Sequence, residues 1–126
     1  MAKHILVVDD DPDIVMALAA ALKAWGFEVE TALDGIEATE VLKRSGIEGM
    51  ILGIQMPRMN GFEVVRHLRE SGWKIPVIVY SVFASVLHQS NPQDAYLMSN
   101  VQALLPKPVT RDELKATVDR CFGPSV

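Results

Sequence analysis

The chain has 126 residues, 49% of them hydrophobic and 22% charged, with 12 basic against 16 acidic side chains and a formal net charge of −4. That length supports one hydrophobic core without disulfide or metal staples, and the composition excludes a disordered or fibrous protein. The acidic balance argues against a sequence-independent grip on phosphate backbones, so no direct nucleic-acid partner is expected. Cys121 is the single cysteine, which excludes an intramolecular disulfide and a cysteine metal cage. A lone thiol suits a reducing compartment, and the first apolar run, Ile5 to Val8, is far too short for a signal-peptide core or a membrane span. These features predict a cytoplasmic protein with no membrane partner.

No repeat or low-complexity tract interrupts the chain; short apolar runs alternate with longer amphipathic segments. Ile5-Leu6-Val7-Val8 is continuous and rich in β-branched residues, as in a strand covered on both faces. Asp11-Pro12 supplies an N-cap and a proline at the first helical position. Ile14, Leu18, Ala21, Leu22 and Trp25 follow at helical spacing, and Gly26 is the stop signal. Phe27, Val29 and Thr31 alternate with Glu28 and Glu30, which predicts a strand with one wetter face. Asp34 with Glu37 marks a helix start, with Ile36, Val41 and Leu42 as its apolar side.

Met50-Ile51-Leu52 reads as another buried strand, ended by Gly53. A loop with Pro57, Asn60 and Gly61 leads into a helix carrying Phe62, Val65 and Leu68, and Pro76 then opens a strand over Val77–Tyr80. Ala103-Leu104-Leu105 is the fifth strand run, closed by Pro106-Lys107-Pro108. Thr110 with Glu113 is a capping box ahead of a last helix whose buried stripe is Leu114, Val118, Cys121 and Phe122.

Five strand runs alternating with helices predict a three-layer α/β/α fold around a five-stranded, doubly wound parallel sheet. Such sheets carry their sites at the carboxyl ends of the strands, here Asp9-Asp10, Gly53, Ser81 and Lys107. Asp9, Asp10 and Asp11 repel one another unless a cation or a lysine neutralises them, which makes a hard-metal site attractive. The alternative is that Asp11 caps the helix and the other two are solvated acids at a loop. Lys107, held between two prolines, either reaches into that cluster or stands in solvent. Ser81 adds a hydroxyl.

Together the run VVDDDPDI, the loop MPRMNG, the strand PVIVYS and the KP of LLPKP resemble a bacterial response-regulator receiver domain, in the right order over essentially the whole chain. The resemblance implies a flavodoxin-like (βα)5 receiver over residues 1–122, with residues 123–126 as a tail or the start of a linker. It also implies a part in two-component phosphorelay signalling and no enzymatic activity. It assigns Asp9 and Asp10 to the metal-binding acidic pair, with a carbonyl from Gln55 as a further ligand for Mg2+. Ser81 matches the hydroxyl residue that closes over a phosphoryl group, Lys107 the lysine that pairs with it, and Lys107-Pro108 a peptide usually cis in this family.

The centre of the pattern departs from the family. Receivers take a phosphoryl group onto an aspartate four residues before the proline of the MP loop, and counting back from Pro57 reaches Gly53. Glycine has no side chain to form an acyl phosphate, and the metal site loses a carboxylate, so Mg2+ binding is expected to be weak. A neighbouring acid is not expected to substitute, because phosphoryl transfer depends on in-line positioning. Ser81 and Lys107 stand 26 positions apart, several more than in typical receivers. A long loop over Val82–Ser90 and a short helix starting near Pro92 are expected to fill that stretch. Val82, Phe83, Val86 and Leu87 are expected to fold back onto the core, the alternative being an altered partner-binding patch. Leu104 holds the place where many receivers carry an aromatic switch residue, and Trp25 and Trp73 are expected to be packing residues.

The leading expectation is a phosphorylation-independent receiver that contacts a histidine kinase or an output domain or regulator. The expected contact region is Pro92–Met98, Ala103–Leu105 and Leu114–Phe122, and a homodimer is a further arrangement. One alternative is a receiver fragment of a longer regulator, because Gly123-Pro124-Ser125-Val126 reads as a linker start and no recognition helix is present. A nucleotide or flavin binder is disfavoured, since Asp9 to Asp13 stand where a glycine-rich phosphate loop would lie. If the acidic pocket survives, Lys107 should lie against Asp9 or Asp10.

Overall fold

In the computed structural model, which describes residues 2–126, the apolar runs form strands and the amphipathic segments form helices. In chain order these are β1 (His4–Val8), α1 (Pro12–Ala24), β2 (Glu28–Ala32), α2 (Gly35–Arg44), β3 (Gly49–Leu52) and α3 (Gly61–Glu70). They continue as β4 (Val77–Ser81), a 3-10 turn (Ala84–Val86), α4 (Pro92–Asn100), β5 (Ala103–Pro106) and α5 (Arg111–Phe122). All strands pair in parallel in the order β2-β1-β3-β4-β5. This is the flavodoxin-like α/β arrangement, whose strand order reverses between β1 and β3 and opens a crevice at their carboxyl ends.

Successive strand residues point to opposite faces, so a doubly covered strand must be apolar throughout. Ile5, Val7, Ile51 and Ile78 face α1 and α5, where they pack with Leu18, Leu22, Leu114, Val118 and Phe122. Leu6, Val8, Met50, Leu52, Val77 and Val79 face α2, α3 and α4, among Val41, Leu42, Val64, Leu68 and Leu97. Each of the large side chains buried this way contributes about 1.5–3 kcal/mol. The edge strand β2 is buried only at Ala32, in keeping with its alternating glutamates.

Side-chain caps fix the helix starts that aim the loops. Asp11 accepts the Asp13 N–H ahead of Pro12, and Asn91 accepts the Gln93 and Asp94 N–H groups around Pro92. Thr110 accepts from Glu113 N–H, and Asn60 with Glu63 forms a reciprocal capping box that the sequence reading passed over. Trp25 is half-buried against the α1–α5 side, with the Arg111 and Lys115 cations 5.2 and 5.6 Å from its ring centroid, and Trp73 packs on the other side. No helix among the described residues is long and apolar enough to cross a membrane.

Three expectations are corrected. The Val82–Ser90 segment is not all loop: it contains the 3-10 turn, closed by the Val86 N–H donating to the Phe83 carbonyl at 3.0 Å. Its apolar side chains do not fold back, since Val82, Phe83 and Val86 are 58%, 38% and 68% exposed. So short a turn offers few inward positions; Ala84 is buried and Leu87 only half-buried. Ile36 is likewise exposed in the first turn of α2, where Ala38, Val41 and Leu42 make the buried side.

Candidate functional site

At the crevice, the ends of β1, β3, β4 and β5 surround a polar cavity of about 200 Å³ lined by Asp9, Asp10, Gly53, Gln55, Ser81, Phe83 and Lys107, among others. Every strand-end residue singled out in the sequence therefore meets in one place, with Val82 and Phe83 added from the loop after β4.

Asp9 is the buried acid. One carboxylate oxygen, Oδ1, accepts the Asp11 N–H at 3.0 Å, and the other, Oδ2, accepts from Lys107 Nζ at 2.8 Å. Asp10 is exposed, and Asp11 is the helix cap. The acids thus split into three roles instead of forming one cluster. Lys107 lies against Asp9 as expected. Its backbone N–H donates to the Ser81 carbonyl at 3.2 Å, continuing the β4–β5 ladder, and its ammonium stands 5.3 Å from the Tyr80 ring centroid. The Lys107-Pro108 peptide is cis. Ser81 is buried, and its Oγ accepts the Phe83 N–H at 3.1 Å. Leu104 is half-buried against the α2–α4 side of the core.

Gly53 is buried at the end of β3, its N–H donating to the Val8 carbonyl at 2.9 Å. A Cβ placed on it would lie 2.9 Å from Asp9 Oδ2, so the Asp9 carboxylate borders the space that the base of a side chain at position 53 would take. Gly61 closes the same loop from below: its N–H donates to the Ile54 carbonyl at 2.7 Å, and a Cβ there would collide with the Gly53 carbonyl oxygen.

A hard divalent cation of the magnesium type wants about six oxygens in near-octahedral geometry. Both Asp9 oxygens already accept hydrogen bonds, Asp10 is exposed, and Gln55 is exposed at the rim. Among the described residues no group of three His, Cys, Asp or Glu side chains is placed to hold a metal. The residues present do not fit a magnesium site.

Two braces around the site escaped the sequence reading. Arg58, with a left-handed φ of 66°, donates to Asp34 Oδ2 from Nε at 3.1 Å and from Nη2 at 2.7 Å, tying the β3–α3 loop to the start of α2. The Glu37 N–H on the same carboxylate, with the Arg58 guanidinium, holds the Asp34 carboxyl below its ordinary range. Arg69 donates to the carbonyls of Trp73, Ile75 and Asn100, and burial pushes its guanidinium below its ordinary value. Nothing local in the sequence announces these partners, 24 and up to 31 positions away.

Residues 5–119 match the family model described as the response regulator receiver domain. The chain is 37% identical over 115 residues to the response regulator MprA of Mycobacterium leprae, a match covering 91% of this chain and 49% of that protein. It spans about half the length of the curated relatives it matches. Among solved structures it is similar to the chemotaxis protein CheY4 of Vibrio cholerae, at 27% identity and a TM-score of 0.81 over 96% of this chain and 99% of that one. It is also similar to the receiver domain of a sensor histidine kinase of Pseudomonas aeruginosa, solved with magnesium in its active-site cleft, at 25% identity and a TM-score of 0.84 over 98% and 99% of the two chains. With its sheet order, its strand-end pocket and these matches, the chain belongs to the response regulator receiver domains of two-component signalling systems.

Proposed function

We propose that this receiver signals by protein contact without being phosphorylated at the end of β3. The observation that carries this reading is Gly53, which lines the pocket at the position where the family pattern places the phosphoacceptor aspartate. The surrounding parts are arranged to support it. Lys107 is engaged by Asp9 and the Ser81 hydroxyl is held by its own loop. The side chain at the switch position is Leu104 rather than an aromatic, so a hydroxyl-to-aromatic relay has no second member. The domain is not an enzyme on this reading and acts in the cytoplasm.

The partner surface runs over Pro92–Met98, Ala103–Leu105 and Leu114–Phe122, and its partner is a histidine kinase, an output domain or regulator, or a second copy of the chain. The exposed Val82, Phe83 and Val86 add apolar area beside the ends of β4 and β5 and support an altered patch there. Because the chain spans 49% of MprA, a receiver working within a longer regulator is a second reading that an observation favours. On it, residues 1–122 are the receiver and 123–126 begin the linker to an output domain.

The test is an intact mass after incubation with acetyl phosphate and magnesium, for the chain as it stands and for Gly53→Asp. The expected result is no phosphoryl adduct on the unaltered chain and an adduct on Gly53→Asp. An adduct on the unaltered chain would overturn the reading.

A further inference from the structure

Water and cations compete for every carboxylate near a surface, and the identity of the bound cation decides what else the pocket can take. The Asp9 carboxylate is 5% exposed and the Lys107 side chain 20%, so their 2.8 Å contact is sheltered from solvent and little screened by salt. Lys107 is held in place twice, by its backbone bond to the Ser81 carbonyl and by the Tyr80 ring beneath its ammonium. Asp9 is held by the Asp11 N–H at the start of α1. The contact thus links the ends of β1 and β5, between which β3 and β4 intervene in the sheet.

We propose that Lys107 is the resident cation of this pocket: its ammonium neutralises Asp9 in place of a divalent metal, and glycine at position 53 leaves room for the pairing. The second half follows from space. Asp9 Oδ2, the atom that accepts from Lys107, stands 2.9 Å from where a Cβ on residue 53 would be, closer than real Cβ atoms approach. A Cβ there crowds the carboxylate and makes it give by a few tenths of an ångström, and an aspartate there also competes for the ammonium. With glycine, one acid and one lysine close on each other and neither is free for a ligand. The proposal rests on the reading of Gly53 given above and adds that the buried acid of the pocket is neutralised from within the chain, so the partner surface works without a metal-bound state.

Calorimetric titration of the full chain with manganese(II) tests this. The unaltered chain is expected to show no saturable uptake at millimolar metal. Lys107→Gln frees the Asp9 carboxylate without adding a ligand and is expected to bind manganese at least about tenfold more tightly. Lys107→Met removes the ammonium in the same way and adds no polar end; it decides the matter if Lys107→Gln does not fold. Saturable binding to the unaltered chain at or below millimolar metal, or lysine variants that take up manganese no more tightly than it does, overturns the proposal. Manganese binding without phosphorylation would sink the lysine's role and leave the phosphorylation-independent reading standing, whereas a phosphoryl adduct on the unaltered chain removes that reading by itself.

Discussion

Replacing Arg69 with alanine removes one guanidinium that serves carbonyls from three separate residues. Its Nη1 donates to Trp73 and Ile75 at 2.9 and 3.0 Å, and Nη2 and Nε donate to Asn100 at 2.7 and 3.2 Å. Trp73 and Ile75 lie in the lead-in to β4 and Asn100 ends α4, so one side chain ties the end of α3 to both. A hydrogen bond from a charged donor is worth about 1.5–3 kcal/mol. The sum is reduced because the guanidinium loses hydration on burial, the cause of its lowered pKa, and because water reaches some of the carbonyls once it is gone. A net loss of about 2 kcal/mol follows, which for a chain of this size lowers the melting temperature by about 6–10 °C. Urea and thermal melts followed by circular dichroism measure it. Arg69→Lys should recover less than half, because one ammonium cannot match a planar fork that reaches several carbonyls at once. Arg66→Ala on the same helix is the control: Arg66 is exposed, 5.7 Å from the Phe62 ring centroid, and should cost no more than about 1 kcal/mol. Arg69→Ala melting within about 2 °C of the unaltered chain, or full rescue by lysine, would refute the account.

Asp34 gives a pH signature. Its folded pKa lies below the ordinary 3.8, so its contribution is fully present above about pH 4 and is lost as pH falls through the folded value. Asp34→Asn keeps the cap but loses the charge, so the urea midpoints of the two proteins should differ at pH 7 and draw together as pH falls below about 4; a constant gap would exclude the ionic contribution. Gly61→Ala should destabilise by about 1–3 kcal/mol, because its Cβ meets the Gly53 carbonyl oxygen and backbone cannot move aside cheaply. Gly46→Ala, with open space around it, should be neutral or slightly stabilising in the same denaturant series. Val86→Ser should change stability by less than about 0.5 kcal/mol, since the side chain is 68% exposed; a loss above about 1.5 kcal/mol would mean that it packs onto the core after all.

The sheet was legible because its central strands are covered on both faces. Ile5 to Val8 and Met50 to Leu52 could be read as strands without knowing their neighbours, since every side chain in them had to be apolar. Caps were legible for a related reason: Asp11, Asp34 and Thr110 act on N–H groups two or three residues away. The pocket was legible only through topology, which brings strand ends together whatever the loops do. What failed was the Val82–Ser90 segment. Its apolar residues have no period that says which way they face, and the 3-10 turn that exposes Val82 and Val86 depends on where β4 ends and α4 begins. Arg58 and Arg69 failed for another reason. A long cation takes its partners from elements folded against it, and their sequence positions carry no trace of that.

The pocket's geometry is held by the fold more than by its own chemistry. Asp9 is fixed by the first turn of α1, Lys107 by the β4–β5 ladder and Ser81 by the loop that follows it, and none of these constraints passes through a side chain at position 53. Gly53 keeps its ladder bond to Val8 and has an ordinary backbone, so a glycine there leaves the sheet intact. What changes is the pairing of charges. A carboxylate at position 53 would contest Lys107 with Asp9 and leave an acid in need of a cation, a state that can be switched by adding or removing charge. With glycine, the buried acid and the lysine satisfy each other, and the acid left over is Asp10, which faces solvent. On the proposed reading, a receiver built this way holds one electrostatic state, and its output would follow from how much of it is present and which partner reaches the surface around α4.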